Sequence, residues 1–257
     1  MMVRNAGNRI MNTWLYPLED SWVMLDTGYE NSYKQVLKKL RKLAIKPEDI
    51  RYIFLTHAHD DHAGFLEKWM TNHPGTQVIA HEKAIGGLRK GQNSFDGGCS
   101  TLLAFLFCQL MALLGNSDHR YPRLSEEHLK KIITLNEDNT AQIEKLLKGK
   151  ILFTPGHTAD SISLLVNGIL FCGDSAMNGI PSSHRITIWV EDTRTFAASW
   201  EHILKSGASM IYPAHGNPFE PKQLERNQKH LANIRLRPLK ERQTMSQEKR
   251  CKMYQKR

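Results

Sequence analysis

The segment His57-Ala58-His59-Asp60-Asp61-His62 crowds three imidazoles among carboxylates directly after the apolar run Tyr52-Ile53-Phe54-Leu55. Neutral imidazole and carboxylate are the ligands that divalent zinc, iron and manganese accept. Histidines at i and i+2 on a strand-to-loop exit can turn both rings into one pocket. Asp61 and His62 follow where a turn begins, so they can face a second point a few ångströms away, as a two-metal site requires. A histidine-rich loop with no metal would bury like-charged rings at a cost. The fold therefore has to present this segment at a strand end, facing further donors.

Such donors recur downstream, each in a short loop after an apolar run. Ile151-Leu152-Phe153 leads to Thr154-Pro155-Gly156-His157-Thr158, where Pro and Gly bend the chain. Ile169-Leu170-Phe171-Cys172 leads to Gly173-Asp174, a carboxylate able to bridge two cations. Met210-Ile211-Tyr212 leads to Pro213-Ala214-His215-Gly216. Any one of these loops is weak by itself. Together they supply five histidines and two aspartates from four strand ends.

HAHDDH, PGHT, GD and PAHG, in this order and at these separations, resemble the metal-binding motifs of the metallo-β-lactamase superfamily over about residues 10 to 235. Leu25-Asp26-Thr27-Gly28 is similar to that superfamily's early aspartate, which braces the histidine loop. The resemblance implies an α/β fold, a four-layered αββα sandwich. It implies two divalent ions, zinc first and iron or manganese as alternatives. His57, His59 and His157 would hold one; Asp61, His62 and His215 the other; Asp174 would bridge both. A hydroxide bridging the metals would be the nucleophile, and Asp61 would take or return a proton at the leaving group.

A paired cation site lowers the pKa of a shared water from about 15.7 towards 7 and polarises a scissile carbonyl or phosphoryl oxygen, so hydrolysis follows from the donor set alone. Asp60 reads as a solvated loop carboxylate or as a partner orienting an imidazole.

Length and a 40% hydrophobic content fit one large domain with a full core. The polar start, Met1 to Gly7, is not a signal peptide, and four cysteines without a CxxC pair suit a reduced, cytoplasmic setting. Of the net charge of +9, a surplus of seven lies between Arg235 and Arg257. The body then carries only two positive charges, too few to mark a nucleic-acid groove. The expected organisation is a hydrolase domain over 1–235, a helical insertion over 82–131 and a basic extension over 236–257.

Strands are expected over Ile10–Tyr16, Trp22–Asp26 and Val78–Ala80, and helices over Asn31–Leu43, Ala63–Met70 and Thr195–Leu204. The insertion contains Thr101 to Leu114, apolar throughout apart from Thr101 and Gln109. It is short of the ~20 residues that span a bilayer. An internal core helix and an exposed apolar element stay open; the latter would be a lid or wall over the metals, a homodimer contact or an interfacial surface. Gly86, Gly87, Gly91, Gly97 and Gly98 would permit movement around it.

Comparison within the superfamily narrows by subtraction. Many of its β-lactamases have a cysteine where this chain has Asp174. Acyl-homoserine-lactone hydrolases place a tyrosine where this chain has Met177, and glyoxalase II carries a glutathione-contact segment where this chain reads Ser175-Ala176-Met177-Asn178-Gly179. Tyr212 could donate to an oxyanion or simply pack, and His184 with Arg185 could meet a substrate carboxylate or phosphate. The reading is a binuclear hydrolase of a small ester, lactone or thioester with an apolar portion. Its rivals are a phosphodiesterase or ribonuclease of the same superfamily and a mononuclear iron persulfide dioxygenase.

Overall fold

In the computed structural model, residues 2–115 and 118–239 are described. All but the first four residues of the expected basic extension lie outside them.

The first half runs β1 (Arg4–Asn5), β2 (Trp14–Pro17), β3 (Trp22–Leu25), α1 (Tyr33–Lys42), β4 (Ile50–Phe54), α2 (Leu66–Asn72), β5 (Gln77–His81), α3 (Ala84–Lys90), β6 (Gly98–Cys99), α4 (Leu102–Leu113), α5 (Glu126–Leu129) and β7 (Ile133–Leu135). The second runs α6 (Thr140–Leu147), β8 (Lys150–Phe153), β9 (Ile162–Val166), β10 (Ile169–Gly173), β11 (Trp189–Val190), α7 (Thr193–Lys205), β12 (Met210–Pro213) and α8 (Lys222–Asn227). Strands β1-β2-β3-β4-β5-β7 form one sheet, β12-β10-β9-β8 a second, and β6 with β11 a short ribbon.

Alternation along the strands makes four layers. Leu15, Met24, Ile53 and Val78 point outward, onto Val36 and Leu40 of α1 and Trp69 of α2. Their neighbours Tyr16, Val23, Tyr52, Phe54 and Ile79 point inward, against Ile162, Leu164 and Phe171 of the second sheet. Leu170 and Ile211 then face Phe196, Trp200 and Ile203 of α7. A fully buried side chain of this kind contributes about 1.5–3 kcal/mol, so a one-residue slip of any strand would exchange two cores at once. The αββα sandwich is thus written in the strand periodicity.

The sheet directions gather the loops. β3 and β4 are parallel, β10 and β12 are parallel, and β8 and β10 both run antiparallel to β9. The C-terminal ends of all five loop-bearing strands therefore lie at one edge, where Ile162 N donates to Thr56 O across the two sheets.

Several boundaries differ from the sequence expectation. β2 begins at Trp14, because Ile10 and Met11 form a bend whose carbonyls serve other groups. β3 stops before Asp26, which has a φ of 58°. α2 starts only at Leu66, since Ala63 N bonds back to His59 O and the intervening residues form turns.

The reading of 101–114 as an internal core helix is overturned. α4 buries one stripe, with Ala104 enclosed and Phe105, Cys108, Met111 and Ala112 half-buried, while Leu102, Leu103, Leu106, Leu110, Leu113 and Leu114 are each more than half exposed. It is apolar on every face yet packs on only one, beside β6. No helix among the described residues is long and apolar enough to cross a membrane.

Candidate metal centre

All seven donors singled out in the sequence meet at this edge. His57, His59 and His157 form one group whose candidate ligand atoms lie within 4.8 Å of one another; Asp61, His62 and His215 form a second, and His57, His62 and Asp174 a third between them. His157 Nε2 lies 3.0 Å from His57 Nε2 and 3.2 Å from His59 Nδ1. His215 Nε2 lies 3.0 Å from Asp61 Oδ2. Asp174 straddles the groups, with Oδ2 3.8 Å from His157 Nε2 and Oδ1 3.7 Å from His62 Nε2.

The far side of each ring fixes which nitrogen faces the pocket. His157 Nδ1 donates to the Trp189 carbonyl at 2.8 Å and His215 Nδ1 to the Ile10 carbonyl at 2.7 Å. His62 Nδ1 donates to Asp26 Oδ2 at 2.8 Å. A carbonyl or carboxylate only accepts, so in each neutral ring the Nε2 lone pair is left aimed inward, as a ligating imidazole needs.

Asp26 also accepts the Thr56 N–H at 2.7 Å, and Thr56 Oγ1 sits 3.1 Å from His57 Nδ1. One buried carboxylate and one hydroxyl thus align two rings. Gly173 permits the next strand to close on this pair: it has a φ of 53°, and a Cβ there would lie 2.5 Å from Thr56 Oγ1.

Burial first, then the neighbouring histidines, hold His57 and His59 well below the ordinary imidazole range, and burial likewise lowers His157. Around the second group burial opposes charge, but carboxylates prevail. Asp26, Asp61 and Asp174 push His62 up to about 10, and Asp174 with Asp61 push His215 up to about 9.

Buried His59 Nε2, His62 Nε2 and Asp174 Oδ1 have no hydrogen-bond partner in the protein. An unpartnered buried polar atom costs about 1–3 kcal/mol. His62 Nε2 and Asp174 Oδ1 lie 3.7 Å apart within the pocket of nitrogen and oxygen donors, and they fit divalent cations, which would satisfy them.

Other residues at the edge were not legible in the sequence. The charge of Asp61, and then burial, raises the Tyr29 phenol. Ala58 N donates to Asp160 Oδ2 at 2.9 Å. From the insertion, Tyr121 donates to the Ala58 carbonyl at 3.0 Å.

Asp60 is no solvated loop carboxylate. It accepts from Asn93 Nδ2 at 2.7 Å while its own N–H donates to Asn93 Oδ1 at 2.7 Å, and the imidazole it faces, His119, comes from the insertion. Tyr212 packs edge-on to Trp14 and Phe171, which settles it as packing. Arg185 is committed to Gln223 Oε1 and lies over the Phe219 ring, and His184 stacks on His230. Met177 is buried and accepts from Thr187 Oγ1.

The family model of the metallo-beta-lactamase superfamily matches residues 6–215, which includes every donor above. The chain belongs to the metallo-β-lactamase superfamily. At that level it is a metal-dependent hydrolase.

It is 27% identical over 221 residues to the metallo-beta-lactamase fold-containing protein ST1585 of Sulfurisphaera tokodaii, covering 81% of this chain and 74% of that one. It is 25% identical over 210 residues to the beta-lactamase-like protein 2 homolog of Drosophila melanogaster, covering 81% of this chain and 59% of that one. The solved structure of ST1585 covers 98% of this chain and 94% of its own, with a TM-score of 0.59 at 20% identity. A Cronobacter sakazakii metallo-beta-lactamase, a HARLDQ motif mutant, covers 90% of this chain and 89% of its own, with a TM-score of 0.63 at 16% identity. These structural likenesses carry the fold.

Proposed function

We propose that this superfamily member is a binuclear hydrolase of a small ester, lactone or thioester with an apolar portion. His57, His59 and His157 would hold one divalent ion, Asp61, His62 and His215 the other, with Asp174 shared; the nitrogen-rich donor set favours zinc and accommodates iron or manganese. When bound, the ions supply an ionised water near neutral pH and polarise the scissile carbonyl. The observation that carries this reading is the convergence of seven donors from four loops on one pocket, in which His62 Nε2 and Asp174 Oδ1 lack hydrogen-bond partners.

The chain's own residues account for the rest. Trp189, Ile10 and Asp26 fix three rings so that their Nε2 atoms face the pocket. Asp61, whose Oδ2 lies 3.0 Å from His215 Nε2, would take or return a proton at the leaving group. The domain over 1–235 would carry the chemistry.

The 82–131 insertion would wall the substrate pocket. Its Asn93 and Tyr121 are tied to the histidine loop, and the exposed leucines of α4 supply apolar area for an acyl or aromatic group or for a homodimer. A reducing, cytoplasmic setting suits the free thiols of Cys99, Cys108 and Cys172.

The test is metal analysis of the purified protein followed by turnover on lactone, thioester, phosphodiester and β-lactam panels. Two ions per chain, with hydrolysis of the first two classes, is expected. His57→Ala and Asp174→Ala should each lower bound metal towards one ion or none and remove turnover. Two retained ions with full activity would refute the ligand assignment. Cleavage of RNA lost on removing 236–257, or oxygen uptake with a persulfide in iron-loaded protein, would replace the proposal by a nuclease or a dioxygenase.

A further inference from the structure

Four of the five imidazoles around the pocket are held from behind. His57 Nδ1 lies 3.1 Å from Thr56 Oγ1, and Asp26, Trp189 and Ile10 accept from His62, His157 and His215. His59 is the exception. Its Nδ1 faces the pocket, 3.2 Å from His157 Nε2, and its buried Nε2 has no hydrogen-bond partner among the described residues. A metal-binding imidazole is ordinarily oriented by an acceptor on its other nitrogen, so His59 has to be placed by its backbone.

That backbone is clamped on both sides of Ala58, the spacer between His57 and His59. The Ala58 N–H, in the peptide that follows His57, donates to Asp160 Oδ2 at 2.9 Å. The Ala58 carbonyl, in the peptide that leads to His59, accepts from Tyr121 Oη at 3.0 Å. Ala58, Asp160 and Tyr121 are all buried. Each peptide is planar, so holding both planes fixes φ and ψ of Ala58. Those two angles set where the His59 ring lies relative to the His57 ring, here with centroids 4.6 Å apart and planes at 73°.

The two bonds come from different parts of the chain. Asp160 extends the seam between the sheets: Ile162 N donates to Thr56 O, and two residues further on, in opposite directions along the two segments, Ala58 N meets the Asp160 side chain. Asp160 also lies three residues after His157, so one carboxylate ties together the loops that carry His57, His59 and His157. Tyr121 belongs to the insertion. Its own N–H donates to the Gly91 carbonyl at 3.0 Å. Gly91 has a φ of 65°, and a Cβ there would lie 2.4 Å from the Tyr121 carbonyl oxygen, so glycine lets the base of the insertion close around this tyrosine.

We propose, on the ligand assignment given above, that Asp160 and Tyr121 are positioning residues for the ion of His57, His59 and His157, acting on His59 through the two peptides of Ala58. The insertion then has a share in metal affinity through a residue that touches no ligand side chain.

Zinc affinity of the full-length chain, measured by competition with a chromophoric chelator, tests this independently of turnover. His59→Ala identifies the binding phase that belongs to this group by weakening it most. Tyr121→Phe removes one hydroxyl and keeps the ring; it should weaken that phase by about 10- to 100-fold and leave the phase of Asp61, His62 and His215 in place. Asp160→Leu, which offers the Ala58 N–H no acceptor, should do the same, and Tyr121→Phe decides alone where Asp160→Leu does not fold. Asp160→Asn presents an amide oxygen instead and should keep most of the affinity. A phase weakened by His59→Ala but unmoved by Tyr121→Phe and Asp160→Leu would refute the clamp and leave the ligand assignment standing. Equal weakening of both phases would also overturn it, since the two bonds would then hold the fold at large. So would an Asp160→Asn protein as weak as Asp160→Leu, because charge and not the hydrogen bond to Ala58 would then be what matters. Phases unmoved by His59→Ala would remove the ligand assignment itself, and the clamp with it.

Discussion

Asp26→Asn separates the bracing of the metal pocket from its ligands. The carboxylate is buried and accepts from Thr56 N at 2.7 Å on Oδ1, from His62 Nδ1 at 2.8 Å on Oδ2, and from the Thr56 hydroxyl between them. Asparagine keeps the size but replaces one acceptor by an NH2 group that only donates. With its oxygen on Thr56 N–H, its nitrogen faces His62 Nδ1. The ring must then place its proton on Nε2, where the lone pair is needed, or leave two donors opposed. A hydrogen bond to a charged group contributes about 1.5–3 kcal/mol. Losing the partner that orients a ligating imidazole costs about 10–100-fold in metal affinity, or about 1.4–2.7 kcal/mol, and the two ranges agree. The loss should fall on the group of Asp61, His62 and His215. The group of His57, His59 and His157 should shift less, because Asp26 reaches His57 only through the Thr56 hydroxyl and His157 is aligned separately by the Trp189 carbonyl. Competition against a chromophoric chelator reads both phases: the weaker should move 10- to 100-fold, with circular dichroism unchanged. Unmoved phases, or an equal shift in the group of His57, His59 and His157, would refute this account of the bracing. Asp26→Ala is the poorer probe, since removing one partner of a buried pair costs about 3–5 kcal/mol, a large part of a domain's total stability.

Stripping the metal with a chelator should lower the thermal midpoint, because an ion held at 100 times its Kd stabilises by about 2.7 kcal/mol; an unchanged scan would mean that no ion is held. Gly173→Ala combines a left-handed φ of 53° with a Cβ 2.5 Å from Thr56 Oγ1, so urea titration should show a loss of about 2–4 kcal/mol. Trp69→Ala removes a fully buried ring and its hydrogen bond to Thr76, with an expected loss of about 3–5 kcal/mol by the same method. Leu110→Ser, on the exposed side of α4, should change stability by no more than about 0.5 kcal/mol; a loss of several kcal/mol would return α4 to the core.

The donor set was legible because every donor loop follows an apolar strand: His57 opens a loop crowded with imidazoles, whereas His157, Asp174 and His215 each sit beside a Gly or Pro turn, and the parallel pairing of β3 with β4 and of β10 with β12 brings those ends to one edge. What orients the donors was not legible, since the acceptors are largely backbone carbonyls. Ile10 and Trp189 serve His215 and His157 through their carbonyls, atoms that every residue carries, and only the long-range fold determines which is used. Thr56 could have been suspected from its place before His57, but nothing local shows its hydroxyl shared between Asp26 and two rings.

The insertion misleads for the opposite reason. Composition reports how much apolar surface a helix has, and α4 has it on every side. Burial depends on how many neighbours the chain brings to it, and here β6 supplies one. The same geometry explains why Asp60 looked solvated: its partner Asn93 is 33 positions away and reaches it only because the insertion folds back over the histidine loop. The insertion is thus anchored to that loop at its base, through Asn93 and Tyr121, and only lightly attached at α4. Sequence change in α4 can therefore alter the apolar surface that this helix exposes while leaving the seven donors in place.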